Sequence, residues 1–523
     1  KPGTRSLFDP TATVRKLNDL RQHYAAVQTA IRDASPFYRE VLLADRELQT
    51  WPVVRGSILA ADQTMLVYYL GQTGGHLFLI DSNATENVVN ETVASTVSTL
   101  SPAETILHFP LSATADQAAH LGIPAGPLSR QATAQLVCRY LSTLTDETEK
   151  NKPTNRGLGS QSVTSAKYPL GPSEALLLTD LLMPPAARAE ITRRKPKSLI
   201  VVPDGALNQL PLEALRIANS GSEVKDSTQP TMNSGSAKII GTLEPPTDAP
   251  RYLFDELPPI AYAPSAMILS ALTQRPKTNM ADDASLLTVG NPRYPEAGSA
   301  AERSPGNVLL ADYLAAGGSL SPLPGTLAEC RKVAAALQAA GVKQTTLLED
   351  LDASEKNVRA NIGGRKFLHL AAHGLVDQQY QNLFGAIALT APADFSHATT
   401  ANDGFLSLFE IHALPLSQCE LAVLSACQTN VGPERPLEAG STMARAFLAA
   451  GARRVVSSHW DVDDQSTAEL VSAFSAALGE SLRHHAPPNY AIALAEARKY
   501  VRNQPKWSAP YYWAPFVLIG AAE

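Results

Sequence analysis

The sequence predicts an α/β fold: a mainly parallel sheet with helices on both faces, preceded by a smaller α/β region. Two observations carry this. From about Ser285 onward, short and continuously apolar runs alternate with longer amphipathic runs, as strand–helix units do. Several of the apolar runs stop abruptly at small or polar residues, as parallel strands do where they empty into loops.

Taken in order, residues 1–50 read as a helical N-terminal segment, because LNDLRQHYAAVQTAIRDA repeats apolar positions at helical spacing. Residues 51–280 read as an N-terminal α/β region. It opens with a hairpin, TMLVYYLG and HLFLIDSN flanking Gly74-Gly75. A helix is expected over Ala132 to Leu144, and SLIVVPDGALNQLPLEAL should form strand, turn and short helix. Two polar Gly/Ser-rich stretches, 151–165 and 219–250, read as flexible insertions. LPPIAYAPS, from Leu257, resumes the ordered core.

Residues 281–523 hold the alternating units. The expected strands are LLTVGN, TTLLED, KFLHLAAH, ELAVLSAC, RRVVSSHW and PFVLIGA. The expected helices are LAECRKVAAALQAAG, STMARAFLAAG, TAELVSAFSAALGESL and YAIALAEARKYVRN, each with an apolar stripe of helical period. The first half reads as a weaker copy of this architecture, since SLIVVPDG is also a strand feeding a loop, but it offers no His/Cys pair.

Composition narrows the function. The chain has 523 residues, 44% of them hydrophobic, and a net charge of -6 without a Lys/Arg stripe, so no nucleic-acid contact is expected. No apolar run is long enough to span a membrane. Cys138, Cys330, Cys419 and Cys427 are widely scattered with no C-x-x-C pair. That argues against a zinc site or a disulfide framework and suggests a reducing, cytoplasmic compartment. The start KPGTRSLFDP lacks an initiator Met or an apolar signal core and reads as an excised fragment. Walker, zincin and nucleophile-elbow motifs do not occur.

Two strand ends carry chemistry. His373 closes FLHLAAHG and Cys427 closes LAVLSACQT, where open α/β sheets place ligands, outside the carboxyl ends of strands. A thiol with pKa near 8.5 is mostly protonated at neutral pH, and an adjacent imidazole can take its proton. The backbone N–H groups of Gly374 and Cys427 are the natural oxyanion donors. A cysteine in an apolar strand is usually a small buried hydrophobe, which suits Cys138, Cys330 and Cys419. Cys427 differs, standing after its apolar run and before polar Gln428-Thr429-Asn430. His369, between Leu368 and Leu370, reads as a hydrogen-bonded core histidine. Cys427 lies 54 residues after His373, near the roughly 50 of caspase-type proteases.

A third strand end, SSHWDVDDQST, delivers Trp460, Asp461, Asp463 and Asp464. A buried Asp there would select a basic side chain by charge pairing. Asp463 or Asp464 could equally cap the helix that follows, which leaves Asp461 beside Trp460 as the better pocket candidate.

Together, LIVVPDGALNQLPLEAL, LPPIAYAPSA, LLTVGNPRYP, LPGTLAEC, FLHLAAHG, GFLSLFEI, LAVLSACQT, AGARRVVSSHWDVDD and YWAPFVLIG resemble the CHAT family in content and order. These are caspase-like proteases related to separase. The resemblance implies a clan CD cysteine-protease fold with a pseudo-protease-like first region and a CHAT domain over 281–523. It implies His373 as general base, Cys427 as nucleophile, Gly374 and the Cys427 amide as oxyanion hole, and no cofactor or metal. Ser458, Trp460, Asp461 and Asp463 then fall in the segment that lines the substrate pocket. By resemblance to separases, cleavage follows Arg or Lys in a protein substrate. Activation is expected from a partner protein or an upstream repeat domain, in bacterial defence or cell death. The competing reading is a non-catalytic caspase-fold scaffold for signalling.

Overall fold

The computed structural model describes residues 58–82, 88–90, 106–145, 168–219, 249–275, 284–294, 320–375, 385–392, 402–426, 429, 442–484 and 486–523. The expected N-terminal helical segment, the 151–165 insertion and most of the 219–250 insertion lie outside these residues, as do Cys427, Gln428 and residues 430–441.

In the first half the strands are β1 (Gln63–Leu70), β2 (Gly75–Asp81), β3 (Val88–Asn90), β4 (Ile106–Ala113), β5 (Gly126–Pro127), β6 (Ser198–Val202), β7 (Arg216–Ile217), β8 (Arg251–Tyr252) and β9 (Ile260–Tyr262). In the second half they are β10 (Ser285–Gly290), β11 (Gln344–Glu349), β12 (Phe367–Ala371), β13 (His373–Leu375), β14 (Ala386–Ala388), β15 (Phe405–Ser407), β16 (Leu421–Ser425), β17 (Arg454–Ser458) and β18 (Phe516–Gly520). The helices of the first half are α1 (Ala115–Leu121), α2 (Arg130–Thr145), α3 (Pro172–Leu182), α4 (Pro185–Arg194) and α5 (Ala266–Thr273). Those of the second are α6 (Pro324–Ala339), α7 (Glu355–Ile362), α8 (Leu408–His412), α9 (Met443–Ala450), α10 (Asp464–Arg483), α11 (Tyr490–Arg502) and α12 (Pro510–Trp513).

One sheet of 13 strands runs through both halves, in the order β11-β10-β12-β16-β17-β18-β9-β6-β1-β2-β4-β3 with β5 beside β4. The run from β11 to β17 is parallel throughout. Beyond it β18 turns antiparallel to β17 and then pairs parallel with β9 of the first half. The carboxyl ends of β12, β16 and β17 therefore share one sheet edge with the amino ends of β18 and β9. The expected division near residue 280 is crossed by this sheet without a break.

Alternation along the strands builds a core on each face. Leu66 and Val201 join the main cluster, whereas their neighbours Met65 and Ile200 join a second one. Strands such as β12 and β16 are buried at every residue, which explains their unbroken apolar sequence. The hairpin forms as read, with Leu70 opposite Gly75. A second, three-stranded sheet, β13-β14-β15, was not anticipated.

Candidate functional site

At the end of β12 the chain does not pass into a loop. After Ala372 it starts β13, which leaves the main sheet and pairs antiparallel with β14, His373 opposite Ala388 and Gly374 opposite Ile387. Gly374 is thus a buried strand residue, where the sequence suggested a turn.

His373 is 1% exposed. Its Nε2 lies 2.8 Å from the carbonyl oxygen of Ser321. A carbonyl only accepts, so Nε2 carries the hydrogen, and in the neutral ring Nδ1 is the nitrogen with a lone pair for a proton. The His373 backbone N–H donates to the Tyr294 hydroxyl at 3.3 Å, and that hydroxyl donates to the Ala388 carbonyl at 3.3 Å. The Tyr294 and His373 rings sit 5.1 Å apart. Next to Ser321, Leu320 packs into a small apolar cluster with Leu375, Ala386, Ala388 and Phe405. The second sheet thus anchors both the histidine and the carbonyl that orients it. Neither Ser321 nor Tyr294 stood out in the sequence. Ser321 acts through its backbone and has no side-chain signature, while Tyr294 lies in the NPRYP segment already singled out.

Cys427 and Gln428 lie outside the described residues, but their flanks do not. Ser458 Oγ donates to the Ala426 carbonyl at 2.6 Å, and Ser458 N–H donates to Thr429 Oγ1 at 3.0 Å. The Thr429 carbonyl accepts from Ala444 N at the start of α9, at 3.2 Å. One serine at the exit of β17 therefore fixes the chain on both sides of the two-residue stretch. Ser458, expected in the substrate pocket, is wholly buried and spends its hydroxyl on this clamp.

The rest of the β17 exit divides by burial. Trp460 is 7% exposed and its Nε1–H donates to the Tyr511 carbonyl at 3.1 Å. Asp463 is the N-cap of α10, accepting from Ser466 N at 2.8 Å, so the capping alternative accounts for its carboxylate. Asp464 accepts from Gly325 N at 3.0 Å. Asp461, half-buried, lies in the loop between β17 and that cap. His459 stacks near Trp460, and burial, helped by the Arg498 charge, pushes its imidazole down to about 3, so it is neutral.

His369 is the core residue that its position suggested. Nε2 lies 2.8 Å from Glu329 Oε1, and Nδ1 lies 2.8 Å from Thr288 Oγ1 and 3.7 Å from the Cys330 sulfur. Burial alone would pull this imidazole down; Cys330 and Glu329 outweigh it and raise it to about 9. Among the described residues no group of three or more His, Cys, Asp and Glu side chains could hold a metal ion, and no helix is long and apolar enough to cross a membrane.

A family model described as "CHAT domain" matches residues 173–521; the match takes in all the motifs from Leu199 onward and reaches back into the region expected to precede residue 281. A human protein, tetratricopeptide repeat protein 28, is 39% identical over 79 residues, which are 15% of this chain and 3% of that protein. Among solved structures, the complex of Porphyromonas gingivalis RgpB pro- and mature domains is 11% identical, with a TM-score of 0.35, covering 64% of this chain and 68% of that one. The Saccharomyces cerevisiae separase–securin complex is 10% identical, with a TM-score of 0.39, covering 90% of this chain and 30% of that one.

Proposed function

Because the chain belongs to the CHAT domain family, we propose that it is a cysteine endopeptidase in which Cys427 is the nucleophile and His373 its base. The observation that carries this reading is the Ser321 carbonyl on His373 Nε2, which leaves Nδ1 as the proton acceptor. Strand order supports it. β12 and β16 are neighbours that pair Ala371 with Ser425, so the segments leading to His373 and Cys427 leave adjacent strands at one level.

In this mechanism Nδ1 takes the thiol proton as sulfur attacks the scissile carbonyl carbon. The N–H groups of Gly374 and Cys427 receive the oxyanion. Collapse breaks the C–N bond, the imidazolium returns its proton to the leaving amine, and water then hydrolyses the thioester. Asp461 is the group we assign to a preference for Arg or Lys before the cut, because it is a half-buried carboxylate in the loop at the β17 exit and would pair with a basic side chain. We further place the protein in a cytoplasmic defence or cell-death pathway, switched on by a partner or an upstream repeat domain. The short stretch shared with a tetratricopeptide repeat protein fits that arrangement.

The test compares wild type, Cys427→Ala and His373→Ala on arginine and lysine peptide libraries. Cleavage by wild type alone is expected, and Asp461→Ala should lose the basic preference while still cutting. Equal cleavage by wild type and Cys427→Ala would exclude this nucleophile. Failure of a thiol-directed peptide inhibitor to label Cys427, with the partner present, would favour the scaffold reading.

A further inference from the structure

A cleft of about 340 Å³ opens between helix α11 and the segment 254–260 that leads into β9. It lies on the same sheet edge as the strand ends described above, because β18 and β9 start there. Its lining is mostly apolar, with Leu257, Pro258, Pro259 and Ile260 facing Ile492 and Ala495. Its lips carry two acids, Asp255 and Glu496, and two bases, Lys499 and Arg502. Arg502 is already held by Asp255 and the Pro250 carbonyl. Such a mouth has no net charge to attract phosphate or nucleic acid.

The polar feature of the lining is an ion pair. Glu213 and Arg498, 3% and 2% exposed, meet at 2.5 Å. Arg498 also donates to the Phe516 carbonyl, yet its Nε–H is buried with no acceptor. A buried donor left unpaired is destabilising, so a small shift that let a ligand's oxygen reach it would be favourable. The cleft is also near the lower end of the roughly 300–1,000 Å³ of ligand pockets, which suits one or two residues rather than a large cofactor.

We propose that this cleft binds an extended, uncharged peptide segment of a partner protein. An apolar side chain sits against Leu257, Pro258 and Pro259, and a backbone carbonyl accepts from Arg498 Nε. Phe516 pairs with Ser458, so an occupant that moves Arg498 acts directly behind the strand exit that carries Trp460 and Asp461. Binding itself does not depend on the peptidase reading.

The test is saturation-transfer NMR on the full chain with N-acetyl-leucine N-methylamide as probe. Wild type should bind it with a millimolar Kd, and Ala495→Trp, which fills the mouth, should weaken binding at least tenfold with an unchanged thermal midpoint. If that variant unfolds early, Ala495→Met gives the same comparison with a smaller side chain. N-acetyl-lysine N-methylamide and inorganic phosphate should bind more weakly than the leucine probe. Absence of transfer to wild type, equal transfer to a folded mouth-filling variant, or displacement of the probe by phosphate overturns the proposal. So does a dimer that Ala495→Trp dissolves, which would assign the cleft to a second copy.

Discussion

His373 is oriented by a backbone carbonyl, and this decides what its neighbours are for. The Tyr294 hydroxyl accepts the His373 backbone N–H and passes its own hydrogen to Ala388. Tyr294→Phe removes the hydroxyl that bridges the His373 N–H and the Ala388 carbonyl while the sheet pairing of these two residues remains, so stability should fall by about 0.5–1.5 kcal/mol in urea unfolding, and kcat should fall more than KM rises. His369 makes a different prediction. Its pKa rises from an ordinary 6.5 to about 9 in the fold, which at roughly 1.4 kcal/mol per pH step is on the order of 3 kcal/mol. A raised value means that the folded state holds the proton. The contribution is therefore complete below about pH 6.5 and is lost as pH climbs through about 9. The stability gap between wild type and His369→Gln, followed by urea unfolding from pH 6 to 10, should narrow on the alkaline side; a gap independent of pH would refute the ion pair. The two histidines were separable in the sequence because one stands inside an apolar run and the other after it. The Ser321 carbonyl was not legible, since any residue supplies one. Asp463 was ambiguous because a cap and a pocket acid leave the same trace.

At the level of elements, the start of α6 joins three parts of the site. Ser321 and Leu320 approach His373 and the second sheet, and Gly325 N–H donates to Asp464 at the head of α10. A Cβ on Gly325 would fall inside contact distance of the Asp464 carboxylate. Ala is the better helix former by about 1 kcal/mol, so a helix considered alone would gain from Gly325→Ala. Here the added methyl must push Asp464 off its hydrogen bond, and we expect a net loss of about 1–3 kcal/mol with a lower kcat. A higher melting midpoint in calorimetry would show that this contact can yield. Leu320→Ala, in the small cluster beneath the second sheet, should cost about 2–3 kcal/mol and free the carbonyl from His373. The long buried strands and amphipathic helices could be read because their periods extend over many residues. β13, β14 and β15 have three residues each, too few to show any period. β4 was hidden for another reason: Pro110 falls in the middle of its run, and proline demotes a strand pattern.

For the whole molecule, the position of β18 matters most. The last strand of the chain lies between β17 of the second half and β9 of the first, so neither half completes its sheet without it. Buried charges reinforce the seam. Arg498 on α11 pairs with Glu213 of the first half, while Tyr262 of β9 donates to the other oxygen of Glu213 at 2.6 Å. Glu213→Gln leaves the guanidinium buried and uncompensated, which typically costs about 3–5 kcal/mol. Chains of this length often unfold through intermediates, half by half. If the halves are joined as the strand order indicates, urea unfolding should instead be one transition, with far-ultraviolet circular dichroism and tryptophan fluorescence coincident. Glu213→Gln should move that single midpoint down without splitting it, because the lost pair serves both halves at once. Two separated transitions in the wild type, with Glu213→Gln shifting only one, would mean that β18 is held by β17 alone and that its pairing with β9 adds little.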